Sequence, residues 1–401
     1  MWTGPRLVCG LLSLAWCLVA GVATAGAVEI SGYVAGEGRA FFGDPWYAGQ
    51  AWQDVSVAGQ PTFYHRWENG SSVTFTPFGR LDSADPERSH VDLRELNVFY
   101  PQEEFEVRVG VGRVFWGATE FVHLVDIINQ TDLVEHIHGE DKLGQPMFQF
   151  ALLQPWGRVD CLIMPYFRER TFPGPKGRLR PALPIDPDEV IYESPDGEHR
   201  WDLALRYSHS LGPVDFGIFL FNGTDREPLL YPTTNSRGQD VLGSFYQETE
   251  QIGGDLQWSR GNWLWKLEAL YKHGYFDGYF AATGGVEYTF VNVGGTGADL
   301  GLVCEYVYDD RGEEATTVYR NNAMVGLRWS PNDAATSQVL LGWIQDVDDS
   351  SKIAVLEASR RLGTHWRLSL DVCAFMDVPP ENRYYGLQGD DFARLELAYY
   401  F

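Results

Sequence analysis

Acidic side chains collect in residues 117–145, where their carboxylates could bind cations or shape a path for ions. The acidic residues of this stretch are Asp126, Asp132, Glu135, Glu140 and Asp141. Charged residues elsewhere that could face them are Arg108, Arg168, Arg206, Lys266 and Glu268. Acidic and basic groups that face each other across a narrow space create a field that orients polar solutes. These residues are our candidate site, and the alternative is that they only pin the stretch by ion pairs.

Two histidines in the same stretch, His136 and His138, form a His-x-His pattern beside Glu135 and Glu140. Histidine together with carboxylate suits transition metals, which makes a metal site the alternative here. Paired histidines in a polar loop are more often surface residues. Acidic groups in other loops lack the regular spacing of a calcium-binding loop. We therefore predict no metal ion and no cofactor.

Catalytic patterns do not stand out in the sequence. An esterase built on strands would place a His and a Ser two residues apart, so that the imidazole can activate the hydroxyl on the same face. No histidine has a serine at that spacing, and His209 is followed directly by Ser210, which puts the two on opposite faces of a strand. P-loop, dinucleotide and G-x-S-x-G motifs are also missing. We predict that the chain is not an enzyme.

Charge and cysteine usage narrow the class of protein. The formal net charge is -24, whereas nucleic-acid binding needs clustered Lys and Arg. We therefore expect no nucleic-acid partner. Outside the amino-terminal region the cysteines are Cys161, Cys304 and Cys373, which are far apart and form no C-x-x-C. This spacing argues against a zinc site or a disulfide framework.

Residues 1–27 have the pattern of a secretory signal peptide. An apolar run follows Arg6, and both Ala25 and Ala27 fit a small-x-small cleavage site. No later stretch is apolar over the 18 or so residues that a spanning helix requires. We therefore predict Sec-dependent export and a mature domain at residues 28–401.

Short segments with alternating apolar residues recur along the mature chain. In one of them, Phe105, Val107 and Val109 alternate with Glu106 and Arg108. A period of two is typical of a strand with one apolar face. The predicted strands lie at 28–43, 61–69, 71–82, 89–100, 104–116, 146–154, 158–168, 200–210, 213–222, 247–258, 262–273, 282–291, 298–309, 322–330, 337–347, 352–361, 365–376 and 391–401.

The links between these 18 segments alternate in length. Short links such as 155–157 follow even-numbered strands, and long links follow odd-numbered ones. The long links are 117–145, 169–199, 223–246, 310–321 and 377–390. Such alternation and an even strand number are typical of transmembrane barrels, in which a closed sheet satisfies its own backbone.

The fold class predicted is therefore all-β: a transmembrane antiparallel up-and-down β-barrel of about 18 strands, with 117–145 folded inward. The strand at 61–69 is the weakest of the set, because it contains Pro61 and alternates imperfectly. The alternation changes phase at 94–97, which indicates a bulge near Glu95.

The last predicted strand carries Leu397, Tyr399 and Phe401 on one face. This pattern resembles the carboxy-terminal signal of bacterial outer-membrane proteins, which the barrel-assembly machinery recognises. The resemblance implies an outer-membrane location, with lipid and lipopolysaccharide as surroundings. An aromatic edge strand of a soluble sandwich is the alternative. Removal of Phe401 is expected to lower the amount of protein that reaches the membrane.

The most distinctive sequence motif lies at 104–147, where Phe-Trp-Gly is followed by HLVDIINQTDLVE. It resembles porin-like proteobacterial outer-membrane barrels, and the resemblance implies a pore. Barrels of 16 to 18 strands leave an aqueous channel, so we expect passive diffusion of small polar solutes, in a single chain or a homo-oligomer. The alternative is a non-conducting barrel that serves as a surface receptor or scaffold.

Overall fold

The computed structural model describes residues 27–275, 277–382 and 385–401, so the predicted signal peptide, residues 1–27, lies outside the described residues except for Ala27. Twenty-one strands occur in these ranges. In chain order they are β1 (Glu29–Phe41), β2 (Gln53–Arg66), β3 (Ser72–Asp82), β4 (Val91–Pro101), β5 (Phe105–Gly112), β6 (Gln145–Gln154), β7 (Gly157–Met164), β8 (Ile185–Tyr192), β9 (Asp202–Leu211), β10 (Val214–Thr224), β11 (Leu229–Thr234), β12 (Asp240–Tyr246), β13 (Glu248–Arg260), β14 (Trp263–His273), β15 (Tyr279–Phe290), β16 (Asp299–Asp309), β17 (Asn321–Ser330), β18 (Gln338–Asp346), β19 (Lys352–Leu362), β20 (Trp366–Met376) and β21 (Phe392–Tyr400).

Eighteen of these strands form one closed antiparallel barrel. Each barrel strand pairs with the next barrel strand in the chain. Because β8, β11 and β12 are not part of the barrel, β7 pairs with β9 and β10 pairs with β13. β21 closes the barrel on β1 and pairs Tyr400 with Tyr33. The ladder continues to Phe401, whose backbone exchanges two hydrogen bonds with Gly32, at 3.1 and 3.2 Å. The predicted all-β barrel of about 18 strands is confirmed.

The remaining strands, β8, β11 and β12, form a separate sheet with β12 in the middle. They lie within the long links 169–199 and 223–246, for which the alternation pattern gave no strand. β8 pairs with β12 in parallel across about fifty residues of sequence, and such non-local pairing leaves little local signal.

Helical elements in the described part of the chain are single turns. They lie at Pro86–Arg88, Gly197–His199, Val293–Gly295, Gly312–Glu314 and Tyr385–Leu387. None of these described turns has the length or apolarity to cross a membrane.

The two faces of the barrel wall differ as the alternation predicts. On β14, Trp265 and Leu267 are 44% and 48% exposed on the outer face, whereas Lys266 and Glu268 are 8% and 0% exposed on the inner face. The outer face therefore presents apolar side chains to its surroundings. Aromatic pairs such as Trp263 with Tyr288, with ring centroids 4.5 Å apart, lie near the short links.

The predicted bulge is present in β4. Thr76 pairs with Glu95, and the next pair is Pro77 with Leu93, so Arg94 is the extra residue. The bulge shifts the phase of the strand, and Arg94 and Asn97 are therefore both buried although they are three residues apart.

β2 begins earlier than predicted, at Gln53 rather than at residue 61. Its first half alternates exposed Val55 and Val57 with buried residues. No pairs link β2 and β3 between Gly59–Gly79 and Phe63–Phe75, where Pro61 lies opposite Pro77. Proline lacks an N–H, so the ladder opens there while the strand continues.

Candidate functional site

Residues 113–144, between β5 and β6, contact the inner face of the barrel at many points, and we call them the 113–144 segment. Its ends are joined by the buried side chain of Asn129. The Asn129 amide donates to the carbonyls of Gly112 at 2.9 Å and Leu143 at 2.8 Å, and its oxygen accepts from the Val114 N–H at 2.8 Å. One side chain thus satisfies three backbone groups and closes the base of the segment.

Glu268 of β14 is enclosed by the backbone of the segment. Its Oε1 accepts from the N–H groups of Ala118 at 2.7 Å and Thr119 at 3.0 Å and from the Thr119 hydroxyl at 2.7 Å. Its Oε2 accepts from the Val125 N–H at 3.2 Å. A fully buried carboxylate is tolerated only when its lone pairs are satisfied. These four hydrogen bonds therefore fix the segment to β14.

Glu305 of β16 holds the next residues in the same way. Its two oxygens accept from the N–H groups of Glu120 at 2.8 Å and Phe121 at 3.0 Å. The Phe121 ring lies against the inner face at Gly326 and Gly342, where an added Cβ would come within 3.0 Å of the ring. Glycine at both positions makes room for the ring. We call β14 and β16, with these two carboxylates, the carboxylate wall.

On the other side of the barrel, β3 holds the segment through an ion pair, and residues of β1 and β21 extend this pair into a network. Arg80 contacts both carboxylate oxygens of Glu135, with a shortest distance of 2.7 Å, and lies 3.2 Å from Glu37. Further arginines within 3.6 Å of Glu37 are Arg39, Arg88 and Arg394. Removing one partner from such a buried network leaves a charge uncompensated. We call this group the arginine wall.

Asp132 is the second acidic anchor of the segment on this side. Its buried carboxylate accepts from Arg94 at 2.7 Å and from the Thr171 hydroxyl at 2.6 Å, and His90 lies 3.5 Å away. Burial alone would raise the pKa of Asp132, but His90 and Arg94 outweigh it and lower the pKa to about 2. The group is therefore charged at neutral pH.

The acidic residues singled out in the sequence have other partners than expected. Glu135 pairs with Arg80 and Asp132 with Arg94. Asp126 pairs with Lys142 of its own segment at 3.1 Å. None of these three pairs involves the arginines that we proposed as partners, because β1, β3 and β4 lie nearer to the acidic part of the segment.

The three proposed arginines nevertheless lie near the segment or its base. Arg168 pairs with Asp92 at 2.7 Å and donates to the Gly144 carbonyl at 2.9 Å. Arg206 pairs with Asp255 at 2.6 Å, and its guanidinium lies 5.1 Å from the centroid of the Trp116 ring. Arg108 lies 5.7 Å from the ring of Phe99.

Lys266, the remaining predicted cation, joins the segment to the carboxylate wall. Its Nζ lies 3.5 Å from Glu120 of the segment and 3.7 Å from Glu287 of β15. Arg328 of β17 pairs with the same two carboxylates. Acidic and basic groups alternate here between the segment and the wall.

Two acidic residues of the segment, Glu140 and Asp141, remain exposed. Among the described residues neither carboxylate lies within 4.0 Å of a cationic group. Glu357 of β19 is close enough to Glu140 and Glu120 for their charges to interact. The unpaired carboxylate of Glu140 therefore faces β19. The charge of Asp141 interacts instead with Arg94 of β4 and Arg394 of β21.

The middle of the segment is held by apolar packing. Trp116, Val125 and Ile128 pack against Phe219 and Phe221 of the inner face, and the Trp116 and Phe219 rings are 5.3 Å apart. Full burial of such a side chain contributes about 1.5–3 kcal/mol. This part of the lumen-facing wall is covered by protein.

The His-x-His pair lies within the segment, with ring centroids 4.6 Å apart. Burial lowers the pKa of His138 to about 4, so its ring is neutral at pH 7. Across the described ranges, no group of three or more His, Cys, Asp or Glu residues is arranged to hold a metal ion.

Arg80 and Glu305 were missed in the sequence, although each contacts the segment. Glu37, which pairs with Arg80, was missed as well. Their signal was the alternation itself, since each is a charged residue at an inner-face position of a predicted strand. Charged residues at inner-face positions of the predicted strands indicate such contacts, even where charged residues are not clustered along the chain.

No family model matches the chain, and no curated protein matches it. Among solved structures, a mutant Rhodopseudomonas blastica porin matches with a TM-score of 0.47 at 12% identity, covering 94% of this chain and all of the porin. Wzi of Escherichia coli, an outer-membrane protein described as a carbohydrate-binding β-barrel involved in group 1 capsule assembly, matches with a TM-score of 0.50 at 10% identity. That match covers 91% of this chain and 83% of Wzi. At this identity the similarity concerns the fold.

Proposed function

We propose that the chain is a bacterial outer-membrane barrel that acts as a porin-like channel for small polar solutes. The membrane location is supported by the closed sheet, which satisfies its own backbone in lipid, and by the exposed apolar outer face. Aromatic side chains near the short links suit a lipid–water interface. In this arrangement the inner face is the wall of the lumen.

The 113–144 segment is the constriction of this channel. The observation that carries the proposal is that the segment is fixed to both the carboxylate wall and the arginine wall. A segment tied at both sides of an 18-stranded barrel narrows the lumen without swinging freely. These contacts support the inward folding of 117–145 that we propose.

The narrow passage lies between the exposed part of the segment and β19. Glu140 and Glu357 would line it, and acidic rings favour cations in membrane pores. Asp126, Asp132 and Glu135 would then position the segment rather than meet the solute, because all three are buried in ion pairs. We expect a preference for cations.

Single-channel recording in a planar bilayer under a KCl gradient tests this proposal. We expect discrete conductance steps and a reversal potential of cation-selective sign. Glu140→Gln should reduce the selectivity, whereas Glu250→Gln, on the outer face of β13, should not. A silent protein with an intact barrel would contradict the channel, and anion selectivity would contradict the passage.

Deletion of residues 122–138 tests the constriction itself. Gly112 and Gln145 pair directly, so the barrel ladder does not depend on the deleted residues. We expect a severalfold larger conductance from a barrel that still shows heat-modifiable mobility. Unchanged conductance in a folded variant would exclude the segment as the narrowest point.

A non-conducting surface barrel is the second candidate. It is favoured by the dense burial of the segment, whose acidic anchors and apolar residues leave little open space around them. Wzi shows that a barrel of similar fold is described as binding carbohydrate. Absence of conductance together with polysaccharide binding would support this alternative.

A further inference from the structure

A cavity of about 700 Å³ lies on the long-link side of the 113–144 segment, and we call it the outer chamber. Ile137 of the segment contributes to its floor, and Cys373 and Phe375 of β20 contribute to one side. Leu179 and Leu242 come from the connections that cover it. The volume falls in the range of roughly 300–1,000 Å³ that is typical of small-molecule sites.

The lining of the outer chamber is largely apolar. Its aliphatic and aromatic residues are Leu133, Ile137, Phe172, Leu179, Ile185, Leu229, Leu230, Leu242, Val318, Tyr319, Ile353, Phe375 and Leu387. A polar solute gains nothing from such a surface. An aliphatic chain would gain free energy in proportion to the apolar area that it covers.

Two arginines interrupt this apolar lining, and neither has a carboxylate partner in the described residues. Arg180 is 5% exposed. Its Nη1 donates to the carbonyls of Pro181 and Ala182, but its buried Nε has no hydrogen-bond partner within the described part of the chain. Arg170 donates to Gln130 at 3.2 Å. A buried cation without a counter-ion is costly unless a ligand supplies one.

Acidic groups also reach the chamber, and they do not neutralise these arginines. Glu227 lines the cavity on the side of Lys272 and Arg311, with which its charge interacts. Glu314 lies, like Tyr319, in the connection between β16 and β17, and it also lines the cavity.

The charges of Asp390 and Asp85 also reach Arg180, and its guanidinium lies 4.1 Å from the centroid of the Tyr47 ring. Neither carboxylate forms an ion pair with Arg180, so the place of a direct counter-ion is left for a bound anion.

We propose that the outer chamber binds a single-chain amphipathic carboxylate, with the carboxylate at Arg180 and the aliphatic chain along the apolar lining. A guanidinium matches a carboxylate in geometry and charge. The chamber is too small for a lipid with several chains. This inference goes beyond the proposed channel, because binding in the chamber does not require conduction.

Binding of radiolabelled dodecanoate to the mature protein in lipid nanodiscs tests the inference, with empty nanodiscs subtracted. We expect saturable binding of one dodecanoate per chain, and at least tenfold weaker competition by dodecan-1-ol. Arg180→Gln should weaken binding at least tenfold, because it removes a charge-assisted hydrogen bond from a buried site. Arg237→Gln, an equal change of charge at an exposed loop residue, should leave binding unchanged.

A second variant tests the apolar lining of the outer chamber separately from Arg180. Leu242→Trp places a larger side chain in the chamber and keeps both arginines, so it should weaken binding while heat-modifiable mobility is retained. No saturable binding above empty nanodiscs would overturn the inference. Equal affinity for dodecanoate and dodecan-1-ol, or an unchanged affinity in Arg180→Gln, would also overturn it. None of these readouts depends on whether the protein conducts.

Discussion

The carboxylate wall and the arginine wall hold the same segment by different chemistry. At the carboxylate wall, Glu268 and Glu305 accept hydrogen bonds chiefly from backbone N–H groups. At the arginine wall, Glu135 of the segment pairs with Arg80 through side chains. In the first case the barrel supplies the charge, and in the second both partners are ionised.

This difference determines which part of the segment is specified by its own side chains. Backbone N–H groups belong to every residue except proline, so residues 118–125 can dock with varied side chains. Residues 132–135 dock only if their carboxylates are present. The two parts should therefore respond separately to changes in the two walls.

The largest effect is expected for Glu268→Ala. The change leaves three N–H groups without an acceptor, and each buried unsatisfied group costs about 1–3 kcal/mol. The Thr119 hydroxyl keeps the Val122 carbonyl as an acceptor at 2.6 Å. We expect the free energy of local opening at residues 116–126 to fall by about 4 kcal/mol or more, measured by hydrogen exchange of peptides from this part. Glu305→Ala, which frees two N–H groups, should have about two-thirds of the effect.

Peptides covering residues 130–143 should keep most of their protection in Glu268→Ala. Glu396→Ala is the matched control, since Glu396 faces inward on β21 and no hydrogen bond joins it to the segment in the described ranges. Equal loss of protection in both parts of the segment would show that the two walls act as one unit.

Arg80→Ala is expected to have the next largest effect, at the other wall. It leaves Glu135 without its main partner, and breaking a buried ion pair costs about 3–5 kcal/mol. Hydrogen exchange should accelerate at residues 130–143 and change little at 116–126. Arg361→Ala, an inward but exposed arginine on β19, is the control. Accelerated exchange confined to 116–126 would reverse our assignment of the anchors.

Acidification should weaken the attachment of the segment near the arginine wall, with a smaller loss of free energy than either substitution causes. The pKa of Asp132 is about 2 in the folded protein, below its ordinary value of 3.8. Its stabilisation is therefore complete above about pH 4 and is lost as pH falls towards 2, for a total of about 2 kcal/mol. If the barrel conducts as proposed, its conductance should become noisier over this range, and Asp132→Asn should remove that part of the pH dependence. A step centred near pH 6 would indicate another group.

The sequence predicted the barrel well because each strand carries its own periodic signal. Seventeen of the eighteen predicted barrel strands, beginning with 28–43, overlap closely with observed strands, and the bulge near Glu95 is present. The start of β2 was missed because proline is typical of a strand boundary, whereas the strand that alternates at Val55 and Val57 continues through Pro61. The sheet of β8, β11 and β12 was missed because its pairing is non-local.

The site was predicted only in part, and for a different reason. The segment and its acidic residues could be found from local sequence, but their partners depend on which strands lie across the barrel. Arg80 and Arg94 are unremarkable in the sequence, and only closure of the sheet brings them to Glu135 and Asp132. The solute-conducting role of the candidate residues proposed from sequence stays a prediction.

Asn129 closes the base of the segment between Gly112 and Leu143, and Gly112 already pairs with Gln145 across β5 and β6. The segment is therefore an insertion in the β5–β6 hairpin, and the side chain of Asn129 links the two ends of the insertion. Evolution or protein engineering could exchange the whole insert for one of another length and leave the register of the barrel unchanged. The width of the lumen could then change in evolution independently of the barrel architecture.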